Sequence, residues 1–587
     1  MSSDGDPTDD SATVSDSDAI SPYTLQQDAA GETRHAFWAD TVADRIEERN
    51  PEEPIVVKGG ISPSGVPHLG NVNEIMRGYF VAEVLRDRGY DVRQVFTADD
   101  RDPLRKLPRT LCDLDGNLVD LGDVDAGALG RNLGAPYTDI PDPFGCCDSY
   151  GDHFSNIIQD SADAVDVPID LVSNTELYES GEFEDVTRFI LEHRDRAREV
   201  LSQYQDKVDE DYVPFNPICE ECGKITETVT GVDVESEARS ASDSRTGSEA
   251  NRETSEAPTV DYKCTDLDAG DRTIDGCGHE GTATLREGKL PWRFEWPAQW
   301  QLLDVDFEPF GKDHAEGSWP SGQDIARTVL EIEPPVPMVY EWFTLEGEPF
   351  SSSEGNVILV SDVLELLEPN VLRYFFAKDP SKARDFSIER LDQLVDEFDR
   401  FEAIYFGEVE ASEDEIAFAE RVYPFVVEDP REERIRLPYT FAAVLGMTDD
   451  PDLREEIARR EGHIPDDAPG WAVEGALDRV EQARNWARRT ENEFDYELKR
   501  TEIPAHEFDA NTETALEELA DFIEEGHEPD EIQGEIYETA KRHDVGVGDF
   551  FGAGYRLFFD DEQGPKLGPF LAKVDREFVV ARLRRER

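Results

Sequence analysis

From residue 35 onward, apolar and polar positions alternate in the manner of an α/β chain. Phe37, Trp38, Val42 and Ile46 fall at helical spacing within 34–49. Ile55-Val56-Val57 is a short apolar run that predicts a buried strand, and a glycine-rich turn follows over 59–70. Ile75, Tyr79, Ala82 and Leu85 then predict a helix over 74–88, and Val92 to Thr97 a second strand, closing a βαβ unit. Strand-like character returns over 290–360. Beyond 390 the spacing is that of amphipathic helices, for example 391–405, 474–490 and 514–525. Residues 1–32 and 233–259 carry neither period. Rich in Ser, Asp, Thr and Glu, they predict a disordered tail and a disordered acidic loop.

Composition changes this picture in one respect. The chain has 134 Asp and Glu against 58 Lys and Arg, a net charge of −76. The acid is spread over every segment, and lysine is scarce, 13 against 45 arginines. Such a chain repels itself unless salt shortens the Debye length to about 3 Å, so the balance reads as adaptation to molar salt. The 10% aromatic content excludes a wholly disordered acidic protein. There is no apolar run of membrane-spanning length, and the acidic N-terminus is unlike a secretory signal. The expectation is a cytoplasmic protein, monomeric and without a membrane partner.

The chemistry gathers at the first turn. Lys58-Gly-Gly-Ile-Ser-Pro-Ser-Gly-Val-Pro-His-Leu-Gly-Asn71 lies between strand and helix, where backbone N–H groups can receive phosphate. His68 and Asn71 stand three apart at the helix mouth, and both can donate to phosphate oxygens. The plain alternative is a structural turn holding an incidental histidine.

Pro67-His-Leu-Gly-Asn71 resembles the first signature of class I aminoacyl-tRNA synthetases, and Gly60 to Asn71 is similar to the class I lysyl-tRNA synthetases found mainly in archaea. Asp100-Arg-Asp-Pro-Leu-Arg-Lys106, Leu290-Pro-Trp-Arg-Phe-Glu-Trp-Pro-Ala-Gln-Trp300 with Gly311-Lys-Asp-His314, and Phe350-Ser-Ser-Ser-Glu-Gly-Asn-Val-Ile358 carry the same resemblance in order. It implies a Rossmann-type catalytic core in two halves (33–141 and 290–389), a zinc-bearing insertion (142–289) and an all-α anticodon-binding domain (390–587). The implied reaction is AMP-forming. Lysine and ATP give lysyl-adenylate, and lysine then passes to the 3′ end of tRNA(Lys), with Mg²⁺ as helper. Two alternatives stand beside it: a class I synthetase for another amino acid, and a non-catalytic tRNA-binding relative.

The resemblance also implies site residues. His68, Asn71 and Lys312 would be catalytic. Pro63, Gly65, Gly70, Gly317, Ser318 and the loop serines Ser351, Ser352 and Ser353 would hold ATP together with His68 and Asn71. Gly60, Ser62, Trp292, Glu295, His314 and Tyr340 would hold lysine, whose ammonium needs a carboxylate and aromatic faces. One departure is plain. The family's second signature carries lysines on both sides of its serines, whereas this chain has Pro349-Phe350 before them and Glu354 after.

Seven cysteines in an intracellular chain argue against a disulfide framework. Cys219-x-x-Cys222 with Cys264 and Cys277 has the makings of a tetrahedral zinc site, opened by the acidic loop, with His279 as substitute for Cys277. Asp142, Cys146, Cys147 and His153 form a second group, where the family also carries a metal site. Both are read as structural zinc. Cys112 is left without a role.

A net charge of −76 should repel a tRNA. Recognition in salt must therefore lean on direct hydrogen bonds and base stacking. The Arg576–Arg587 stretch is one of the few basic runs, read equally as an RNA contact or as a helix end with favourable cations.

Overall fold

The computed structural model describes residues 19–28, 35–206, 208–234, 257–270, 272–350, 356–432 and 434–586. They form two compact units, one of 1–361 with 376–386, the other of 362–375 with 387–587.

The first unit is built on a five-stranded sheet whose pairs are all parallel. Its strands are β1 (Ile55–Ile61), β2 (Val92–Ala98), β3 (Asp170–Ser173), β4 (Val305–Gly311) and β5 (Val336–Tyr340). The spatial order is β5-β4-β1-β2-β3, so the chain runs outward from β1 on one side and resumes beside β1 on the other. This is the strand order of a dinucleotide-type fold, in which ligands settle beyond the carboxyl ends where the order reverses, here between β1 and β4. β1 and β4 are buried almost throughout, as strands covered on both faces are, and their buried charges Lys58 and Glu308 pair with each other at 2.6 Å.

Helix α1 (Trp38–Glu47) buries Trp38, Val42 and Ile46, the face expected from spacing. Helix α2 spans Leu69–Asp87, five residues earlier than the apolar period suggested. The reason is capping: the Asn71 side chain accepts the His68 N–H while the His68 ring accepts the Gly70 N–H, so the signature turn is itself the first turn of the helix.

The first unit departs from expectation at its N-terminus. Residues 1–18 and 29–34 lie outside the described residues, but 19–28 are structured, with a helix at Thr24–Asp28. Val339 of the edge strand β5 donates to the Pro22 carbonyl, Thr24 Oγ1 donates to the Pro337 carbonyl, and Trp319 Nε1 donates to the Ile20 carbonyl. An open sheet edge offers unpaired backbone groups, and this polar segment meets them.

Between β3 and β4 the chain makes helices, then a small antiparallel sheet of Val229–Asp233, Thr259–Lys263 and Glu280–Thr284. The acidic loop connects the first two of these strands, and its residues 235–256 lie outside the described residues. The second unit is helical; among its described residues there is no strand. Helices Leu391–Tyr405, Gly470–Thr490 and Ala510–Glu525 match the amphipathic stretches. Among the described residues no helix is long and apolar enough to cross a membrane.

Candidate active site

Two cavities open beyond the carboxyl ends of β1 and β4, of about 570 and 630 Å³. Ile61, Ser62, His68, Asn71, Asp102 and Trp292 line both, so the signature turn is their common wall. Gly60 ends its strand against β2, where a Cβ would stand 2.4 Å from Thr97 Oγ1. At Gly70 a Cβ would meet the His68 ring at 2.8 Å. Both positions therefore exclude a side chain by close approach.

Among the described residues the two signature side chains are held by their acceptor atoms, which leaves their donors free. Burial pushes His68 down to about 4, so the ring is neutral at working pH. Its Nδ1 accepts the Gly70 N–H at 3.1 Å, which places the ring proton on Nε2. Asn71 Oδ1 accepts the His68 N–H at 2.9 Å, which leaves its Nδ2 as donor. Phe350 stacks on the His68 ring at 5.0 Å.

The smaller cavity has an acidic floor. Glu74, one turn along α2 from Asn71, takes the Gly60 N–H on Oε1 at 2.7 Å and the Tyr340 hydroxyl on Oε2 at 2.9 Å. Burial raises its pKa to about 7, and Glu308 nearby adds to the shift. Trp292, His314 and Tyr340 stand around it, and Trp342, 58% exposed, forms part of the rim. A carboxylate with two donors, set among rings, is what an alkylammonium needs.

Of the residues singled out in the sequence, Gly60, Ser62, Gly65, His68, Gly70, Asn71, Trp292, His314 and Tyr340 meet on these cavity walls. Five do not. Glu295 faces the interior from helix Trp292–Leu302, fully buried, and its oxygens are taken by Asn174, Tyr178 and Lys289. It cannot also receive a ligand ammonium, and this corrects the assignment. Lys312 lines neither cavity; it pairs with Glu341 at 3.6 Å with its side chain 43% exposed. Ser318 Oγ is engaged by His314 Nδ1 at 2.9 Å, and the Gly317 carbonyl accepts from Arg293. Pro63 is buried and is on neither wall. Ser351, Ser352 and Ser353 lie outside the described residues.

Sequence reasoning missed Glu74, Asp99 and Asp102. For Glu74 the available signal was an acid within the largely buried N-terminal half of α2. Asp99 accepts from Asn174 and Gln299, and burial beside Glu295 and Asp102 pushes it up to about 8. Burial opposes the charge of Lys289, but Asp102 and Glu295 outweigh it and hold the ammonium charged.

Both cysteine groups converge. Cys219, Cys222, Cys264 and Cys277 bring their sulfurs within 4.8 Å of one another, with Cys219–Cys277 at 3.6 Å and Cys222–Cys264 at 3.7 Å. Four sulfurs about 2.3 Å from a tetrahedral zinc would stand roughly 3.8 Å apart, so the donor set fits that ion. His279 bonds Glu220 instead and is not a substitute. In the second group His153 Nε2 is fixed by the Cys112 carbonyl at 2.9 Å, leaving Nδ1 toward Cys146 at 3.4 Å and Asp142 at 3.3 Å. This is the backing a metal-binding histidine requires, and it gives the Cys112 position a use. In the second unit, three arginines of the basic C-terminal run are engaged. Arg582 bonds the Leu557 carbonyl, Arg584 pairs with Asp521 and Glu524, and Arg585 with Glu513. That favours the structural reading of the run.

Comparison with known proteins agrees with this geometry. Residues 36–426, more than half of the chain, match the family model for tRNA synthetases class I (K). The lysine–tRNA ligase of Haloarcula marismortui is 69% identical over 550 residues, 94% of this chain and 97% of that protein. That of Halobacterium salinarum is 70% identical over 553 residues, with the same coverage. The lysine–tRNA ligase of Pyrococcus horikoshii is 34% identical over 572 residues, 94% of this chain and 99% of that protein. With the family model matching 36–426 and relatives aligned over nearly their full length, the chain belongs to the class I (K) family of tRNA synthetases.

Proposed function

We propose that this protein is a lysine–tRNA ligase that forms lysyl-adenylate from lysine and ATP and transfers lysine to the 3′ end of tRNA(Lys). The observation that carries the choice of amino acid is Glu74, a carboxylate on the cavity floor with Trp292, His314 and Tyr340 around it.

In this reading the lysine ammonium meets Glu74, and the lysine carboxylate faces the signature turn. A carboxylate oxygen attacks the α-phosphorus of ATP, forming the mixed anhydride and releasing pyrophosphate. His68 Nε2–H and Asn71 Nδ2–H donate to phosphate oxygens as charge develops there, and both are already oriented by the helix cap. The neutral His68 neither gains nor loses a proton. Mg²⁺, when bound with ATP, neutralises phosphate charge. The terminal ribose hydroxyl of the tRNA then attacks the anhydride carbonyl, forming the ester and releasing AMP.

The two cysteine groups would each hold one structural Zn²⁺, through Cys219, Cys222, Cys264 and Cys277 and through Asp142, Cys146, Cys147 and His153. Each supplies four donors and so closes its ion without an open position. Aminoacylation with each amino acid in turn, in molar KCl with Mg²⁺ and tRNA, tests the reading. Charging with lysine alone supports it. A preference for another amino acid would overturn the Glu74 assignment, and no charging by a folded, metal-loaded sample would overturn the enzyme.

A further inference from the structure

Composition predicts a disordered tail over 1–32, yet residues 20–24 are hydrogen-bonded into the first unit. The Ile20 N–H donates to Gln323 Oε1 at 2.9 Å, and the Ile20 carbonyl accepts from Trp319 Nε1 at 3.0 Å. The Pro22 carbonyl accepts from the Val339 N–H at 3.0 Å, and Thr24 Oγ1 donates to the Pro337 carbonyl at 2.6 Å. Ile20 and Tyr23 pack against a core cluster that includes Trp296, Phe310, Trp319 and Val339. Thr24 is itself buried. Ordering entropy opposes the docking of so polar a segment, and these contacts outweigh it.

The bonds reach two elements, β5 and the helix Trp319–Ile325, and each leads to the wall of the smaller cavity. On β5, Val339 precedes Tyr340, whose hydroxyl donates to Glu74 at 2.9 Å. Beside Trp319, Ser318 Oγ bonds His314 Nδ1 at 2.9 Å. The His314 ring lies 5.9 Å from Trp292 and 5.6 Å from Trp296, and Trp319 meets Trp296 edge-on at 6.2 Å. Trp292, His314 and Tyr340 are the rings that stand around Glu74. Residues 20–24 line neither cavity, so they act on these rings from behind.

Resting on the ligase reading above, we infer that residues 20–24 are a strap that positions the lysine site, holding Tyr340 through β5 and His314 through the helix Trp319–Ile325. Groups that bind a small ligand must be kept within about 0.5 Å of their working places. A residue on an edge strand has a neighbouring strand on one flank only, and β5 has β4 on that flank. The strap supplies the other flank through Pro337 and Val339. Protection of the edge alone would need those two backbone bonds and nothing more. Ile20 also ties Gln323 and Trp319, and joining strand to helix is what fixes one ring relative to the other. The strap residues are positioning residues, since none of them faces the cavity.

The test compares the full chain with a deletion of residues 1–28, with Thr24→Val, which keeps the shape and loses the donor, and with Thr24→Ser, which keeps the donor. Steady-state aminoacylation in molar KCl reads KM for lysine, ATP and tRNA separately. The deletion should raise KM for lysine about tenfold and Thr24→Val about threefold, with KM for ATP and for tRNA within about twofold of the parent. Thr24→Ser should stay near the parent. In a Tyr340→Phe background Thr24→Val should add little, because the bond through which β5 reaches Glu74 is already gone. A merely structural role would instead raise all three KM values together and add in full to Tyr340→Phe, and either result would overturn the inference. So would a parent-like lysine KM in the deletion or in Thr24→Val. If the deletion does not fold, the two Thr24 variants and the Tyr340→Phe background decide in the same terms. A parent that charges no tRNA with lysine would overturn the ligase reading before any variant is compared, and is distinguishable from these.

Discussion

Replacing Glu74 by Gln removes one charge and almost no volume, so it isolates the electrostatic part of lysine selection. The Gly60 N–H keeps an acceptor, and the Tyr340 hydroxyl can turn to accept from the new amide. Folding should not suffer. A carboxylate raised to about 7 by burial is an unfavourable charge in the free protein, and its neutral isostere is cheaper to bury. Binding should suffer. Two unit charges about 4 Å apart attract by roughly 4 kcal/mol at the effective dielectric of such sites, and desolvation offsets part of this. A net loss of about 3 kcal/mol lowers kcat/KM for lysine roughly 150-fold. Steady-state aminoacylation at pH 8 with saturating ATP and tRNA reads this directly. The loss should fall mainly on KM. Norleucine, which lacks the ammonium, should be discriminated against far less by the variant than by the parent. A variant with a lysine KM within about threefold of the parent, and undiminished discrimination against norleucine, would remove Glu74 from the ammonium site and with it the structural basis for lysine.

Other perturbations reach different parts of the structure. With Glu74 raised to about 7 in the free protein, lysine must displace a proton below that pH. KM for lysine should therefore climb about tenfold per pH unit on going below pH 7 and level off above it; a flat profile from pH 6 to 8 would contradict this. Gly70→Ala would drive a methyl group into the His68 ring, 2.8 Å away, so kcat should drop about tenfold or more while the lysine KM holds; an unchanged kcat would show that the ring's placement is immaterial. Cys264→Ser should remove about one equivalent of zinc per chain by elemental analysis and lower the unfolding midpoint, since metal affinity is folding energy; undiminished zinc content would dismiss the four-cysteine site. In the helical unit, Arg479 is buried and pairs with Glu368 at 2.9 Å and Asp399 at 2.7 Å. Arg479→Met leaves those carboxylates without it and should cost about 3–5 kcal/mol by denaturant melts; a loss below about 1 kcal/mol would mean the network is not holding the unit.

How much of this was legible in the chain depended on whether a property is local. β1, β2 and the amphipathic helices follow from period, because burial of one face or both is written into the residues themselves. The signature turn was legible because His68 and Asn71 stand three apart on one helix end. The start of α2 was misplaced because its cap is a reciprocal pair of side chains, His68 and Asn71, which reads as loop until both bonds are seen. The acidic cavity proposed for the lysine ammonium was half legible. Trp292, His314 and Tyr340 share a cavity as expected, but the carboxylate came from α2 instead of the helix bearing Trp292. Period alone cannot say that Glu295 turns inward to Lys289 and to the distant Asn174 and Tyr178, nor that Glu74 emerges beside β5. The cysteine groups were legible across a 41-residue gap because thiol chemistry narrows the choices to a few residues.

The extreme acidity gives these assignments an unusual lever. Where carboxylates are everywhere, a lysine or arginine that keeps one as a neighbour says little, and many cations here do. Arg88 holds Asp40, Asp44 and Glu47; Arg436 holds Glu402 and Glu408; the C-terminal arginines 584 and 585 are taken by the helix Ala510–Glu525. The converse holds for acids. Among the described residues Glu74 has neither a lysine nor an arginine bonded to it, only two neutral donors, and burial has raised its pKa. A carboxylate poised in that way gains most from a cation that arrives with the substrate, whereas Glu295, already bonded to Lys289, gains nothing. Partnering, more than residue type, separates the groups that bind from the groups that hold the wall.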